Sequence, residues 1–225
     1  AKVVSAKNPR KWPQMFDFRA AYTEPTCPER PLPPVRITLP DGHVVVSGKD
    51  DADEPLSRCL GRQVKLRSAA PQEPQLEEYW PDMEELDRRD TITDESMPAG
   101  TFFDLAPVHL LSTATLGALQ QAYPQGRFEV RRFRPNLVIR LDDPEPGFVE
   151  SGWIDRLVAI GDEVRLRITG PCPRCVMTTL AQADLPADSE ILRTAARQNK
   201  AHVGVYASVV QGGLVRRFAP LCFVE

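Results

Sequence analysis

Alternating apolar and polar residues near the start of the chain predict a β-hairpin. Residues 35–39 alternate with period two, residues 40–43 have the Pro, Asp and Gly composition of a turn, and three valines follow at 44–46. Two short extended segments joined by such a turn are typical of antiparallel strands. A short helix is predicted next, over residues 53–60, because Gly61 can end a helix in a left-handed conformation.

The second half of the chain carries the period-two pattern more strongly. It is clearest at 164–169, where valine, leucine and isoleucine alternate with arginine and threonine. We predict strands over residues 128–141 and 156–169. A closing hairpin is predicted from residues 203–210 and 214–218, which are joined by two glycines.

Two segments have the spacing of amphipathic helices instead. Residues 113–123 place three large apolar side chains on one face, and Ser112 or Thr113 can cap the first turn. A second helix is predicted to begin after Asp188 or Ser189. Because strands dominate, with two or three helices between them, the pattern predicts a β-rich α+β fold.

Residues 71–100 form an acidic block. They contain ten Asp and Glu residues and two arginines, a net charge of −8 in a chain whose net charge is −3, which leaves +5 on the other residues. The wider segment 69–100 is rich in proline and shows little periodicity, so we predict a solvated, peripheral connection. The chain would then consist of a small β-rich N-terminal part (1–68), this connection (69–100) and a larger domain (101–225).

Composition restricts the compartment and the partners. No segment approaches the roughly 18 to 20 apolar residues that a membrane span needs, and the chain lacks the basic stripe typical of nucleic-acid-binding proteins. Five cysteines are an odd number in a chain too large to need disulfides. We therefore expect a cytoplasmic protein with reduced thiols and without membrane or nucleic-acid partners. Its first residues have the pattern of a strand rather than of a signal peptide, and the first of them is not Met, so we also expect an N-terminal segment to be missing.

The run from Cys172 to Cys175 is the strongest local indication of chemistry. Its two sulfurs follow a predicted strand, and Arg174 lies beside the second. A neighbouring guanidinium favours ionisation of a thiol, and thiolates are ligands for soft or high-valent metals. Three other interpretations remain open here: a buried structural pair, a zinc site that lacks paired ligands elsewhere, and a redox dithiol that lacks the usual βαβ surroundings.

Three further residues are candidates for a site. Arg134 precedes Asn136 by two positions, so an extended chain would put both side chains on one side, where they suit a phosphate and a heterocycle edge. A solvated basic strand edge is the alternative. Asp104 lies in an apolar run, where a buried carboxyl could donate a proton, although a turn-forming Asp is equally compatible. We expect His109 to be a hydrogen-bonded core residue.

Taken in order, these motifs resemble the MOSC family, the fold shared by the C-terminal domain of molybdenum cofactor sulfurases and by the mitochondrial amidoxime-reducing component. The resemblance covers nearly the whole chain. Its most specific part is the order of three motifs along the chain: Asp-x-x-Pro, then Arg-Pro-Asn, then Cys-Pro-Arg-Cys followed by Thr-Thr. The matching stretches are residues 5–12, Leu60-Gly61-Arg62, Phe103-Asp104 with Ala106-Pro107, the helix start at 111–113, Arg134-Pro135-Asn136, residues 153–162, and Cys172-Pro173-Arg174-Cys175 with Thr178-Thr179.

The resemblance implies a β-barrel-like fold that binds one molybdenum cofactor, a pyranopterin whose dithiolene holds the metal together with one protein cysteine. By motif position that cysteine is Cys175. Further residues are implied in cofactor binding, and Asp104 would lie near the metal. The cofactor-binding residues are Arg134, Asn136, Arg174, and the backbone of Leu105 and Ala106. Amidoxime-reducing members also carry a Lys-Ser pair and an arginine upstream of the point where this chain begins, and these have no counterpart here.

Two functions follow from the resemblance. The first is a molybdenum-dependent oxidoreductase that reduces N-hydroxylated small molecules, with Cys175 and Asp104 as its catalytic residues. Since no ferredoxin-type cysteine spacing is present, electrons would come from a separate partner protein. The second is a non-catalytic carrier that holds the cofactor, or a sulfane sulfur on Cys175, and delivers it.

Overall fold

The computed structural model describes residues 2–27, 29–49, 51–142 and 146–224. The chain divides into two compact units. The first comprises residues 1–79, 92–102 and 182–184, and the second comprises residues 80–91, 103–181 and 185–225. None of the helices in these described parts is long and apolar enough to cross a membrane.

The first unit contains the predicted hairpin and the predicted short helix. Its elements are β1 (Lys2–Val3), β2 (Arg19–Tyr22), β3 (Val35–Thr38), β4 (Val44–Val46), α1 (Asp53–Leu60), β5 (Gln75–Trp80) and β6 (Thr91–Ser96). Strands β3 and β4 pair antiparallel, and β2 extends them into a three-stranded sheet. Helix α1 ends at Gly61, whose φ of 62° is left-handed. The hairpin and this helix are therefore confirmed.

The acidic segment is not an irregular connection, and that expectation was wrong. Strands β5 and β6 lie within it and join β1 in a three-stranded sheet, where β1 and β5 run parallel. Tyr79 and Glu78 are buried. The partners that make this burial tolerable come from the N-terminal residues, because Lys7 lies 3.4 Å from Glu78 and Arg10 donates to the Tyr79 hydroxyl at 2.6 Å. The division at 1–68, 69–100 and 101–225 stays a prediction.

The middle of the acidic segment contributes to the core of the second unit. Met83 and Leu86 are buried against Leu192 and Ala201. A carboxylate in the same stretch, that of Glu85, forms ion pairs with arginines 193 and 197. The negative charge of this segment is thus partly neutralised by cations that lie more than a hundred residues later in the chain.

Glu77 on β5 is the centre of a charge network in the first unit. Its carboxylate accepts from Lys11 at 2.9 Å, from Lys2 at 3.0 Å and from Asn8 at 3.1 Å. The Lys11 hydrogen bond, followed by that of Lys2, lowers the pKa of Glu77 from its usual 4.5 to about 2. A carboxyl whose pKa is lowered by folding stabilises the fold only where it is ionised.

Replacement of Glu77 by glutamine should therefore change the pH dependence of stability. We expect Glu77→Gln to lower the free energy of unfolding by about 1–2 kcal/mol at pH 7. The difference in free energy of unfolding between this variant and the wild type should be constant above pH 4.5, the usual pKa of a Glu carboxyl. It should become smaller as the pH falls towards 2, the pKa of Glu77 in the folded protein. Urea titrations between pH 7 and pH 3 measure it. Glu54→Gln, at an exposed pair with Arg58, is the control; an equal pH dependence in both variants would contradict the assignment.

The second unit contains most of the regular structure. In chain order its elements are β7 (Val108–Ser112), α2 (Thr113–Ala122), α3 (Val130–Phe133), β8 (Leu137–Ile139), a 3-10 helix (Val149–Trp153), β9 (Leu157–Ile160), β10 (Val164–Pro173), a second 3-10 helix (Val176–Thr179), α4 (Glu190–Asn199), β11 (His202–Gln211) and β12 (Leu221–Val224). The strands form a curled, half-barrel sheet in the order β12-β9-β10-β11-β7-β8. The predicted strand-rich α+β class is confirmed.

Helices α2 and α4 lie where the sequence predicts them. The Ser112 hydroxyl accepts the backbone N–H of Thr115 at 3.1 Å and caps α2. The apolar faces of both helices contribute to one buried cluster. Its buried members are Leu111, Leu119, Phe128, Phe133, Ile191, Ala195 and Val203.

Two strand predictions in this unit were wrong. Residues 128–141 contain the short helix α3 before the three-residue strand β8, because Arg134 adopts a left-handed conformation with φ 53° and ends the helix. The closing hairpin also differs, since residues 214–218 form no strand. The last strand is β12, which pairs with β9 instead of β11.

Candidate functional site

The run from Cys172 to Cys175 lies at the end of β10, beside the beginning of β11. The ladder between these strands is irregular there, with register shifts between Ile168 and Gly170 and between Pro171 and Pro173. Cys172 is fully buried, and Cys175 is 8% exposed and directly precedes a 3-10 helix. Bulges of this kind redirect side chains out of the regular pleat. Both sulfurs are thus brought to one end of the strand pair.

Arg174 is anchored by the protein on three sides. Its Nη1 donates to the Cys172 sulfur at 2.8 Å, its Nη2 donates to the carbonyl of Phe133 at 3.0 Å, and its backbone N–H donates to the carbonyl of Ala201 at 2.8 Å. Burial acts to lower the pKa of Arg174, but the charges of Cys172 and Cys175 outweigh it and raise that pKa. The guanidinium therefore interacts electrostatically with both sulfurs. The predicted proximity to Cys175 holds, while the hydrogen bond goes to Cys172.

The Nε–H of Arg174 is buried and has no hydrogen-bond partner in the described part of the chain. A buried charged donor without an acceptor is costly. Its neighbours, Cys172 and Phe133, already occupy the other two nitrogens of the guanidinium. This arrangement leaves one preorganised cationic donor for an anionic or acceptor group that is not part of the protein.

Tyr206 and His109 complete the buried surroundings of the two cysteines. Tyr206 lies opposite Gly170 on β10 and opposite His109 on β7. Burial, followed by the charge of Cys172 and a hydrogen bond with it, raises the pKa of Tyr206. The phenol is consequently a neutral donor beside Cys172 at pH 7. Nothing in the sequence identifies Tyr206, because its place depends on the register between β10 and β11.

His109 is a hydrogen-bonded core residue, as predicted. Its Nε2 lies 3.0 Å from the carbonyl of Val203, and its ring meets that of Tyr206 edge to face with centroids 5.9 Å apart. Burial, followed by the positive charge of Arg174, lowers the pKa of His109 to about 4. The imidazole is therefore neutral at pH 7 and adds no charge to the site.

Gly204 allows this close approach of His109. It has φ +83°, and a Cβ there would collide with His109 Nε2 and the Leu110 carbonyl. Gly204→Ala should lower the free energy of unfolding by about 2–4 kcal/mol, since backbone strain and a buried clash add. Thermal or urea unfolding measures the change. Gly212→Ala, which meets no atom within 4 Å, should stay within about 0.5 kcal/mol of the wild type; similar losses in both would refute the role of Gly204.

Arg134 and Asn136 do not lie on an extended chain as expected. Arg134 is exposed and left-handed. Asn136 accepts the His109 N–H through Oδ1 at 2.8 Å and donates its own N–H to the His109 carbonyl at 2.9 Å. The Asn136 side chain therefore joins the start of β8 to β7. Arg134 is held beside His109 through its backbone, which leaves its guanidinium at the surface.

Asp104 lies in the exposed segment before β7. Its side chain is exposed, as is that of Leu105, while Ala106 is partly buried. The burial that was expected of a proton-donating Asp104 is therefore not found. Its charge still reaches Tyr206, whose pKa it helps to raise. Asp104 is thus a solvent-exposed neighbour of the cluster.

Arg132 is a buried structural residue. It is 1% exposed and donates to four backbone carbonyls, three of which lie in residues 178–186, after Cys175. The acceptors are Arg127 at 2.9 Å, Thr178 at 3.2 Å, Leu180 at 3.3 Å and Pro186 at 2.8 Å. The Thr178 hydroxyl in turn donates to the Cys175 carbonyl at 3.0 Å. Arg132 and Thr178 therefore fix the turn that carries Cys175.

No group of three or more His, Cys, Asp or Glu side chains is arranged to hold a metal ion within the described ranges. A site built from protein ligands alone, as structural zinc requires, is not formed by these residues. A centre with a single cysteine ligand requires no such group. None of the five cysteines forms a disulfide.

Comparison with known proteins identifies the family. A family model described as MOSC domain matches residues 99–217, which is more than half of the chain. "Mitochondrial amidoxime reducing component 2" of Rattus norvegicus is 38% identical over 77 residues, a match that spans 34% of this chain and 21% of the rat protein. Among solved structures, YiiM from Geobacillus stearothermophilus aligns over 60% of this chain and 67% of its own, with 16% identity and a TM-score of 0.38. On the strength of the domain match, the chain belongs to the MOSC domain family.

Proposed function

We propose that this protein binds the molybdenum cofactor and is an oxidoreductase that reduces N-hydroxylated small molecules. The observation that carries the proposal is the buried, unpartnered Nε–H of Arg174 beside two buried thiols. A group with an anionic or acceptor atom and an affinity for thiolate would satisfy both features at once. The molybdenum cofactor has this donor and acceptor chemistry, so the residues present fit it.

Cys175 is assigned as the metal ligand. The Cys172 sulfur already accepts a hydrogen bond from Arg174 and interacts with Tyr206, so it is committed to the protein. The positive charge of Arg174 acts on Cys175 as well as on Cys172, and it favours the thiolate form of Cys175. The backbone carbonyl of Cys175 accepts a hydrogen bond from the Thr178 hydroxyl. Such support by neighbouring hydrogen bonds is what orients ligands in metal sites.

The remaining residues are assigned to the organic part of the cofactor. Arg134 has a surface guanidinium suited to a phosphate. Arg174 contributes its Nε–H, and Asn136 orders the backbone next to them. The backbone of Leu105 and Ala106 would also contact the cofactor. When bound, the cofactor would supply two-electron reduction of an N–O bond.

The reduction of an N–OH group to N–H and water consumes two protons, and Asp104 is assigned the delivery of one of them. Its carboxyl is exposed and can exchange protons with solvent, and it lies near enough to Tyr206 to act on the phenol electrostatically. Delivery of a proton to the departing oxygen is general acid catalysis. Electrons would come from a separate donor protein, and a cytoplasmic location would suit a chain in which none of the five cysteines forms a disulfide.

Reduction of an N-hydroxylated amidine by the purified protein, with reduced methyl viologen as electron source, tests the activity. The proposal predicts turnover that depends on molybdenum content and falls in Asp104→Asn with the metal retained. Protein that contains molybdenum but reduces no N–O bond would refute the reductase role. Protein without metal that releases sulfide on treatment with dithiothreitol would favour a sulfur carrier instead.

A further inference from the structure

The segment between β11 and β12 presents apolar and basic side chains to solvent. Leu214 is 53% exposed, Val215 39% and Phe218 81%. Arg216 and Arg217 lie between them in the sequence, and neither is paired with a carboxylate of the described residues. Residues 214–218, named the β11–β12 tip here, thus combine three exposed large hydrophobic residues with two arginines, and the Arg217 guanidinium lies over the Phe218 ring, 4.9 Å from its centroid. Large apolar side chains exposed close together in the sequence are typical of an interaction surface.

Phe218 occupies a backbone position that favours glycine. The Ala219 N–H donates to the Arg216 carbonyl at 3.0 Å and closes a four-residue turn. Phe218 is the third residue of that turn and has φ +68°, the left-handed region that type II turns require there. A bulky residue in this region is strained. The side chain of Phe218 is exposed and makes almost no contact with the core, so core packing does not explain why a strained position carries a phenylalanine.

The tip is held in place at both ends. The Glu163 carboxylate accepts the Leu214 N–H at 3.1 Å, and the Glu163 carbonyl accepts from Gln211 at 2.7 Å. After the turn, Ala219 packs against the core, and the Pro220 carbonyl accepts from Gly161 at 2.9 Å. The apolar side chains are therefore displayed from an anchored loop.

We propose that the β11–β12 tip binds the surface of an anionic lipid membrane. The apolar side chains would enter the interface while the two arginines contact the headgroups, which is how short segments associate with the cytoplasmic leaflet. No membrane partner was expected from the sequence because the chain contains no spanning segment, but surface association needs none. The chain near the tip agrees with this choice, since residues 191–224 contain no Asp or Glu, and the carboxylate of Glu163 at the base of the tip is engaged by the Leu214 N–H.

Other occupants fit the tip less well. A symmetric contact with a second copy would bring Arg216 and Arg217 against the same residues of the other copy, and like charges in a contact are destabilising. A stable interface with a protein buries roughly 800 Å² on each partner, which is large for a tip of five residues. Insertion into lipid requires no complementary shape.

Association through this tip would leave the candidate site accessible. Arg165 on β10 pairs with Gln211 at the tip end of β11, whereas Pro173 pairs with His202 at the other end. Nine residues of extended chain place the two ends roughly 25 to 30 Å apart. The inference does not depend on the proposed function, because it rests on none of the cysteine-site residues.

Co-sedimentation with phosphatidylcholine vesicles, with and without phosphatidylserine, tests the proposal. We expect the wild type to bind only the phosphatidylserine vesicles and to dissociate as salt is raised. Phe218→Gly should weaken binding by at least about tenfold through loss of the buried ring. Its Tm should be unchanged or higher, because glycine relieves the left-handed strain. Loss of binding cannot then be attributed to unfolding.

Two further variants complete the experiment. The double variant Arg216→Glu/Arg217→Glu should abolish binding, and Leu32→Ser, which removes an exposed leucine elsewhere (70% exposed), should bind as the wild type does. Absence of vesicle binding, or full binding by Phe218→Gly, would overturn the proposal. Concentration-dependent self-association in sedimentation velocity, or binding to poly-glutamate, in place of vesicle binding would assign the tip to a second copy or to an acidic protein and would overturn it equally.

Discussion

Replacement of Arg132 by methionine is expected to lower the free energy of unfolding by about 3–5 kcal/mol. The change leaves four backbone carbonyls without this donor, in hydrogen bonds of which one is buried and three are partly buried. Methionine resembles arginine in length and removes the charge, so packing is largely kept and the loss reports the hydrogen bonds. Urea unfolding followed by circular dichroism measures it.

Arg131→Met is the matched control. Arg131 is the preceding residue of the same helix, but its side chain is exposed and forms an ion pair with Glu129. Exposed pairs contribute little, so this variant should lose no more than about 1 kcal/mol. If Arg132→Met were as stable as Arg131→Met, the buried arginine would not hold the turn after Cys175, and the argument for a preorganised ligand there would lose its support.

Cys175→Ser is expected to lose the metal, with molybdenum content at least about tenfold below that of the wild type. The hydroxyl of serine is a poor replacement for a thiolate towards molybdenum. The fold should remain, because the turn is fixed by Arg132 and Thr178 rather than by the sulfur. Metal analysis of protein with a wild-type circular dichroism spectrum separates loss of ligation from loss of structure.

Cys172→Ser is the comparison that distinguishes a single-cysteine centre from a two-thiolate centre. Cys172 accepts from Arg174 and is fully buried, and a serine oxygen can accept the same hydrogen bond. This variant should therefore keep most of the metal, with at most a modest loss of stability. Equal loss of metal in both variants would favour a site such as zinc with two cysteine ligands.

Local patterns in the sequence predict those elements whose residues interact with near neighbours. The hairpin of β3 and β4 follows from alternation and a turn, and α2 follows from its cap at Ser112. The acidic segment was misjudged because its partners, such as Lys7 and Arg197, lie far away in the sequence. No local pattern contains that information.

The candidate site was predictable to the level of its motif, and not to the level of its contacts. The two cysteines and Arg174 are adjacent in the sequence, so their proximity could be foreseen. The place of Tyr206 depends on strand register, and the bend at Arg134 depends on a left-handed residue that is not glycine. Both are set by tertiary packing, which overrides local preference.

Molybdenum and pterin analysis of the purified wild-type protein, produced in cells that make the cofactor, tests the central claim most directly. The account predicts about one molybdenum and one pterin per chain, because a single cysteine ligand and a single buried Arg174 donor define one site. Folded protein that contains neither, and that gains neither when the cofactor is supplied, would contradict it.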